Sequence, residues 1–388
     1  MKEFFADLHV HIGSTESGKP VKITASRALT LLSVLEAASE EKGMDLIGLI
    51  DAHVPEVMNE LERLIISGSC EELAGGGIRF QHTTLILGSE LEVYDENCSG
   101  PIHVLVYFKG LGDMKVFSEW ISHFMKNNTL SSQRVYTAAK ALQLKVEELG
   151  GLFIPAHIFT PFKSLYGRGV KKSLAEVFDP GLIDAVELGL SSDTEMASVI
   201  GELDGYPFVT NSDAHSTGKI AREYQKLLLM EPSYKELVLA LKQRDGRKIL
   251  ANYGLNPLLG KYHHTVCDNC GISLTTQTDV CPSCGSKKII KGVSDRLVEL
   301  ADSPARLENR PPYVHQVPLQ FIPGVGPKTL LKLKDHFGTE MDILHRVSKE
   351  ELARVIPGKT AELIAEARAG TLAVSGGGGG IYGKITTK

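Results

Sequence analysis

No apolar run in this sequence is long enough to cross a bilayer, and the opening Met1-Lys2-Glu3-Phe4-Phe5 carries no hydrophobic signal-type region. Secretion and membrane insertion are therefore not expected, and a cytoplasmic setting is. Cysteine is also scarce. Of six residues, four fall in 267-CDNCGISLTTQTDVCPSC-284, which leaves too few for a disulfide framework. Cys70 and Cys98 stand apart and read as unpaired buried thiols of a reducing compartment. A strongly basic balance is missing too: the net charge is −5.

That charge is unevenly spread. Residues 1–260 carry −9, residues 261–310 carry +1 and residues 311–388 carry +3. An acidic body followed by a mildly basic end fits a metal-rich domain joined to an anion-binding one, although three charges also fit ordinary surface variation. The length of 388 residues and the 43% hydrophobic content allow two or three domains with a sizeable core.

Strand-like and helix-like segments alternate through the first 255 residues. Strands are expected at 3–10, 45–51, 83–93, 102–109, 152–157, 183–188, 206–210 and 248–252. Helices are expected at 26–42, 55–67, 114–127, 132–149, 194–203 and 233–244. This alternation predicts an α/β fold with a mainly parallel sheet, and seven or eight such units would close into a barrel with chemistry at the C-terminal strand ends.

The residues at those ends repeat a theme. In DLHVH, His9 and His11 are two apart on a strand and share a face, as a metal grip requires. Asp51 and His53 follow in GLIDAH, Glu90 in LILGSELEV, His157 after GLFIPAH, Glu187 in DAVELG, and Asp213 and His215 in NSDAH. His103 sits near the start of its strand and fits less neatly. Taken singly, each is compatible with a turn residue or a satisfied core histidine. Their recurrence at successive strand ends points to a polynuclear metal site. Mixed imidazole and carboxylate donors suit Zn, Mn or Fe better than Mg alone, and two or three divalent metals (Zn, Mn or Mg) are expected.

The order DLHVH, DAH, GSELEV, PAH, NSDAH resembles the PHP (polymerase and histidinol phosphatase) phosphoesterase superfamily. The resemblance implies a distorted (β/α)7 barrel. One metal would be held by His9, His11, Glu90 and Asp213, which would carry the catalytic metal-bound water. A second would use Glu90, His103 and His157, and a third His53 and His215 with Asp51. Two departures concern the third metal. Gly13-Ser14-Thr15 stands where the family often has a further ligand, and DAH replaces the commoner DH.

Downstream, Cys267, Cys270, Cys281 and Cys284 have the spacing of two zinc knuckles, with Gly271 and Gly285 as turn residues. Four thiolates close a structural Zn site with no open position. In the preceding GKYHHT, Tyr262, His263 and His264 read as packing residues or as a nucleic-acid contact. LQFIPGVGPKTLLKLKDHF is similar to a helix–hairpin–helix: Gly324 and Gly326 permit a close phosphate approach, and Lys328, Thr329, Lys332 and Lys334 lie on the helix that follows. Leu330, Leu331, Leu333 and Phe337 are expected on its inner side. Ser348 and Glu351 form a capping box, and 355-VIPGKTAELIAEA-367 reads as a second hairpin with Gly358. Its GKT is no nucleotide loop, because Ala353 replaces the upstream glycine. The tail SGGGGGIYGKITTK is expected either to be disordered or to order on DNA through Tyr382, Lys384 and Lys388.

Barrel, four-cysteine module and hairpins together resemble the endonuclease Q family. The expected domains are 1–258 (barrel), 259–295 (zinc module), 296–317 (linker), 318–372 (hairpin region) and 373–388 (tail). Membership would imply hydrolysis of the DNA phosphodiester 5′ of a deaminated base (uracil, hypoxanthine, xanthine) or abasic site, with the lesion base flipped out. DNA, as damaged duplex or single strand, is the expected partner, and any repair or replication protein is unknown. The loop 159-FTPFKSLYGRGVKK-172 is the expected channel wall, with Phe159, Phe162 and Tyr166 beside Lys163, Arg168, Lys171 and Lys172. Phe162 and Tyr166, four apart, fit simple packing equally well. The rival readings are a small-molecule phosphatase, an exonuclease, and a non-catalytic DNA-binding protein.

Overall fold

The structure, a computed structural model, describes residues 1–260, 262–274, 278–375 and 384–385. Seven strands frame the N-terminal region: β1 (Lys2–Val10), β2 (Leu46–Leu49), β3 (Thr83–Val93), β4 (Ile102–Phe108), β5 (Leu152–Pro155), β6 (Val186–Glu187) and β7 (Phe208–Val209). β1, β2 and β3 pair in parallel, as do β6 and β7. Backbone bonds from Asp184 to Phe153 and from Ile158 to Glu187 join β5 to β6. A parallel bridge between Val10 and Ala214 returns the chain to β1. The result is a distorted seven-stranded barrel.

The expected mainly parallel sheet needs correction. β4 runs against both neighbours, pairing antiparallel with β3 and with β5. Its N-terminal end therefore lies at the mouth of the barrel, and this explains why His103 begins its strand rather than ending it. The segment 248–252 is not a barrel strand. Lys248–Gly254 pairs antiparallel with Tyr224–Leu229, a strand the helix-and-strand alternation missed, which in turn pairs antiparallel with the N-terminal half of β1. Because β1 splits its partners, the gap towards β7 is bridged by buried side-chain amides. Leu8 N donates to Asn211 Oδ1 at 2.8 Å, Gln225 Nε2 donates to Ala6 O at 2.7 Å, and Gln225 Oε1 accepts from Thr210 N at 2.8 Å. They replace missing ladder bonds, as buried backbone groups require. Gly48 is needed where β2 crosses β1, since a Cβ there would meet Leu8 O at 2.2 Å.

The helices outside the sheet form where apolar positions recur, with shifted ends. Residues 26–42 give a helix Leu31–Glu36 that loosens into a π-turn Ala37–Lys42, and 132–149 gives Ala139–Glu148. The short stretch 194–203 breaks into Thr194–Ala197 and Gly201–Leu203. Cys70 is buried, whereas Cys98 is only half-buried.

The stretch expected as linker is structured. Helix Val293–Leu300 packs against the barrel, and Tyr313–His315 adds a parallel strand beside Asn252–Gly254. The C-terminal region folds as Pro327–Phe337, Glu340–His345, Lys349–Val355 and Gly358–Arg368. The capping box is present: Ser348 Oγ accepts from Glu351 N at 3.2 Å, and Ser348 N donates to Glu351 Oε2 at 2.8 Å. Leu333 is fully buried, but Leu331 is 58% exposed and does not belong to the inner face. This region docks on the barrel through a buried ion pair between Lys42 Nζ and Glu340 Oε1 at 2.9 Å and through His345, which stacks on Phe5 at 4.5 Å. Val374–Ser375 pairs antiparallel with Lys384–Ile385. Gly376–Gly380, Tyr382 and Lys388 lie outside the described residues.

Candidate metal centre

At the barrel mouth, histidines and carboxylates from the strand ends converge in three groups, each with ligand atoms within 4.8 Å of one another: His9–His11–Glu90, Glu90–His103–His157 and His11–Asp213–His215. Glu90 belongs to two groups and His11 to two, so the groups form one cluster. Its residues come from β1, β3, β4 and the loops after β5 and β7.

The imidazoles of His9, on β1, and of His11, just past its end, are each held from behind. His9 Nδ1 lies 3.0 Å from Glu187 Oε1, and His11 Nδ1 lies 3.1 Å from Asp51 Oδ2 and 3.2 Å from Ser131 Oγ. The opposite nitrogens, His9 Nε2 and His11 Nε2, are buried without a hydrogen-bond partner. They face the carboxylates of Glu90 and Asp213 at 3.4 to 3.6 Å. A carboxylate fixing one ring nitrogen while the other is left as a free donor is the arrangement of metal-bound histidines. At His103 and His157 the nitrogens facing Glu90 Oε1 are Nδ1 at 2.8 Å and Nε2 at 3.4 Å, and the remaining Nε2 and Nδ1 are buried and unpartnered. Orphaned buried nitrogens are otherwise costly, so the donor set fits divalent metals.

The charge balance agrees. Burial pushes the Glu90 carboxyl up, yet His103 and Lys22 hold it well below the usual carboxylate range. Asp213 is held low against burial by His9, His11 and His215. Burial disfavours the His9 imidazolium, but Glu187 and Asp213 outweigh it and hold the pKa at about 10. The carboxylates thus demand positive charge from the imidazole side, and a bound metal supplies it by displacing protons.

Two ligand-bearing residues hold unusual backbone. His157 has φ 30° and Asp213 has φ 46°, a region that costs a non-glycine residue about 1–3 kcal/mol and clusters at functional sites. Glu187 secures the first by accepting from His157 N at 2.8 Å. Asp7 secures the second. It is no ligand: its Oδ1 accepts from Ser212 N at 3.0 Å and its Oδ2 from Ala221 N at 2.9 Å.

Not every expected residue joins. His53 and Asp51 are not brought together with His215 as a third pocket. His53 Nδ1 lies 2.8 Å from Ser89 Oγ and Asp51 Oδ2 supports His11, while His53 Nε2 and Asp51 Oδ1 are buried without a hydrogen-bond partner. His215 instead clusters with His11 and Asp213. In the sequence Glu187 reads only as a strand end, with no sign of its place behind His9, and Lys22, Ser131 and Asn211 carry no signal of a role, although Asn211 lies within NSDAH.

The cluster opens into a cavity of about 870 Å³ that also includes Phe162, Lys163 and Tyr262 in its lining. Phe162 is 40% exposed and meets Tyr262 edge-on at 5.6 Å. Phe159 and Tyr166 are buried and stack on each other, so they belong to the core. Arg168 lies over the Phe162 ring at 5.6 Å, Lys163 Nζ pairs with Glu92 at 2.8 Å, and Lys171 and Lys172 are exposed. His263 is buried and His264 is exposed.

The four cysteines also converge. Cys267 and Cys284 Sγ are 3.6 Å apart, as are Cys270 and Cys281 Sγ. A tetrahedral ion with metal–sulfur bonds of about 2.3 Å would place sulfurs about 3.8 Å apart, so the set fits zinc. Arg296, on the helix after this module, donates to Tyr166 O and to Lys171 O at 2.8 and 2.7 Å. The helix Val293–Leu300 thereby braces the loop that forms the cavity wall. In the C-terminal region, Gly324 has φ +89° and faces Thr360, whereas Gly326, next to Lys328 and Thr329, has open space where a Cβ would stand, as does Gly358.

Residues 317–369 match the family model described as a SAM-like helix-hairpin-helix tandem. The uncharacterized protein YqxK of Bacillus subtilis (strain 168) is 60% identical over 385 residues, covering 99% of this chain and 100% of that protein. The crystal structure of the lesion-specific endonuclease PfuEndoQ from Pyrococcus furiosus matches with a TM-score of 0.85 and 32% identity, covering 99% of this chain and 95% of that one. A crystal structure of endonuclease Q with a 27-mer duplex bearing an abasic lesion at the active site matches with a TM-score of 0.85 and 31% identity, over 100% and 97% of the two chains. Among the described residues, no helix is long and apolar enough to cross a membrane. With its barrel, four-cysteine module and hairpin tandem all accounted for along its length, the chain belongs to the endonuclease Q family of metal-dependent, DNA-binding endonucleases.

Proposed function

We propose that this chain is a lesion-specific DNA repair endonuclease that hydrolyses the phosphodiester 5′ of a deaminated base or abasic site while the lesion nucleotide is rotated out of the duplex. One observation carries the reading: the metal-ligand cluster and the exposed ring of Phe162 line a single cavity, and Tyr262, from the approach to the zinc module, closes the same wall. A phosphodiester at the cluster and an extruded base on the rings would occupy it together. Rotating a base out costs a few kcal/mol, and stacking on an aromatic side chain returns about 1–3 kcal/mol.

The proposed ligands are His9, His11, Glu90 and Asp213 for one ion and Glu90, His103 and His157 for a second, with His215 completing a third position beside His11 and Asp213. When bound by these residues, divalent ions would supply Lewis acidity towards a phosphoryl oxygen and lower the pKa of a water molecule towards neutrality. The chain's own residues fix the arrangement. Glu187 and Asp51 set the tautomers of His9 and His11, and Glu90 turns Oε1 towards His9, His103 and His157 and Oε2 towards His11. Cys267, Cys270, Cys281 and Cys284 hold a structural zinc. Gly324, Gly326, Lys328, Thr329 and Gly358 grip DNA phosphates without reading sequence, and Lys163, Arg168, Lys171 and Lys172 meet the strand near the cavity. The domain division is 1–258, 259–295, 296–317, 318–372 and 373–388, with 296–317 a structured connector.

The relatives support this reading: one is described as lesion-specific, and another was crystallised with an abasic lesion at its active site. An end-labelled duplex carrying one uracil or hypoxanthine, incubated with Mn or Mg, tests it. The expected result is one nick immediately 5′ of the lesion and none in the undamaged duplex. Progressive trimming of both duplexes would favour an exonuclease instead.

A further inference from the structure

We propose that Lys22 is a catalytic residue of this chain, a built-in cation that binds a non-bridging oxygen of the scissile phosphodiester beside the metal ligands. The inference rests on the phosphodiesterase reading above and adds a residue that neither the strand-end pattern nor the hairpin motifs point to.

The backbone places Lys22 independently of its charge. Lys22 N donates to Ile12 O at 2.9 Å, directly after His11, and Ser131 N donates to Val21 O at 2.9 Å. The same 131–132 segment supports His11 through Ser131 and holds the Lys22 ammonium through Ser132. Lys22 Nζ lies 2.9 Å from Glu90 Oε2. That is the oxygen facing His11, while Glu90 Oε1 faces His103 and His157. The side chain is 14% exposed, and its free surface forms part of the wall of the metal-site cavity.

An ammonium has three donors and no lone pair, so it cannot ligate a metal. Glu90 and Ser132 account for two of the donors. A fixed positive charge among metal ligands opposes metal binding, and the burial of the ammonium adds a desolvation cost. Such a charge is useful where an anion must be bound and where negative charge grows during reaction, as it does on the phosphoryl oxygens of an in-line displacement.

The test compares wild type with Lys22→Met, Lys22→Gln and Lys22→Arg as full-length, Mn-loaded proteins. Metal content is measured by mass spectrometry, folding by thermal melting, binding of inorganic phosphate by calorimetry, and turnover on bis(p-nitrophenyl) phosphate and on the single-lesion duplex. The expected result is unchanged metal content and melting, phosphate binding weakened at least about tenfold, and kcat reduced about 10²-fold or more in Lys22→Met and Lys22→Gln, with Lys22→Arg recovering part of both. Wild-type turnover and phosphate binding in Lys22→Met, or a rate loss that only tracks lost metal, would overturn the proposal. If wild type cleaves bis(p-nitrophenyl) phosphate but ignores the lesion, the lesion reading fails while the Lys22 comparison still stands on the small diester and on phosphate binding.

Discussion

His9 Nδ1 lies 3.0 Å from Glu187 Oε1, between residues 178 positions apart in the chain. Glu187 also accepts from His157 N at 2.8 Å and from Asn211 Nδ2 at 2.7 Å. One buried carboxylate thus sets the tautomer of one ligand, the strained backbone of another and the closure of β7 on β1. Glu187→Gln should preserve the fold and lower metal affinity about 10–100-fold, the usual cost of removing such a partner. Mn titration followed by calorimetry measures this, and wild-type affinity in the variant would remove Glu187 from the account.

His53 and His215 separate the two arrangements of the third metal position. His215→Ala should reduce the metal bound in the barrel, because His215 lies within the His11–Asp213 group. His53→Gln should leave metal content unchanged and cost only stability, of the order of 1 kcal/mol for a lost buried hydrogen bond. Metal analysis of both variants, beside their melting curves, distinguishes the two.

The hairpin glycines should fail differently. Gly324→Ala puts a methyl 2.6 Å from Thr360 Oγ1 at a positive φ, so it should destabilise the region by about 1 kcal/mol or more. Gly326→Ala meets nothing in the protein, and under the proposed phosphate contact its methyl would stand in the way of the DNA backbone. It should weaken duplex binding several-fold with unchanged melting. Fluorescence anisotropy at fixed salt, paired with thermal melts, reads both effects.

Acid should undock the C-terminal region. Burial, with Lys226, Arg368 and Arg346 nearby, pushes the His345 pKa down to about 3. The folded value lies below the ordinary 6.5, so this group's contribution is complete above pH 6.5 and is lost as pH falls towards 3, by as much as about 1.4 kcal/mol per unit. Limited proteolysis between pH 7 and 4 should find the junction near His345 increasingly open, and His345→Gln should flatten that dependence.

Much of the site was legible because barrel chemistry gathers at strand ends, and His9, His11, Glu90, His157 and Asp213 each end an apolar run. Strand direction was not legible. Alternation has the same period either way, so the reversed β4 made His103 look misplaced until its antiparallel pairing with β3 was known. Asp51 shows why roles are hard to read from sequence: a carboxylate that binds metal and one that orients a histidine carry the same oxygens, and here Oδ2 lies 3.1 Å from His11 while Oδ1 is buried without a partner. Leu331 fitted the apolar pattern of its helix and still faces solvent, since a short helix packed on one side has room for fewer apolar positions than the sequence supplies. Lys22 left no signal at all, because nothing local links it to Glu90.

Anomalous diffraction from crystals of the full chain grown with Mn tests the central claim most directly. The account predicts Mn peaks at the barrel mouth between His9, His11 and Glu90 and between Glu90, His103 and His157, and their loss in Glu90→Ala crystals. Ordered His9, His11 and His157 side chains with no anomalous density among them would contradict it.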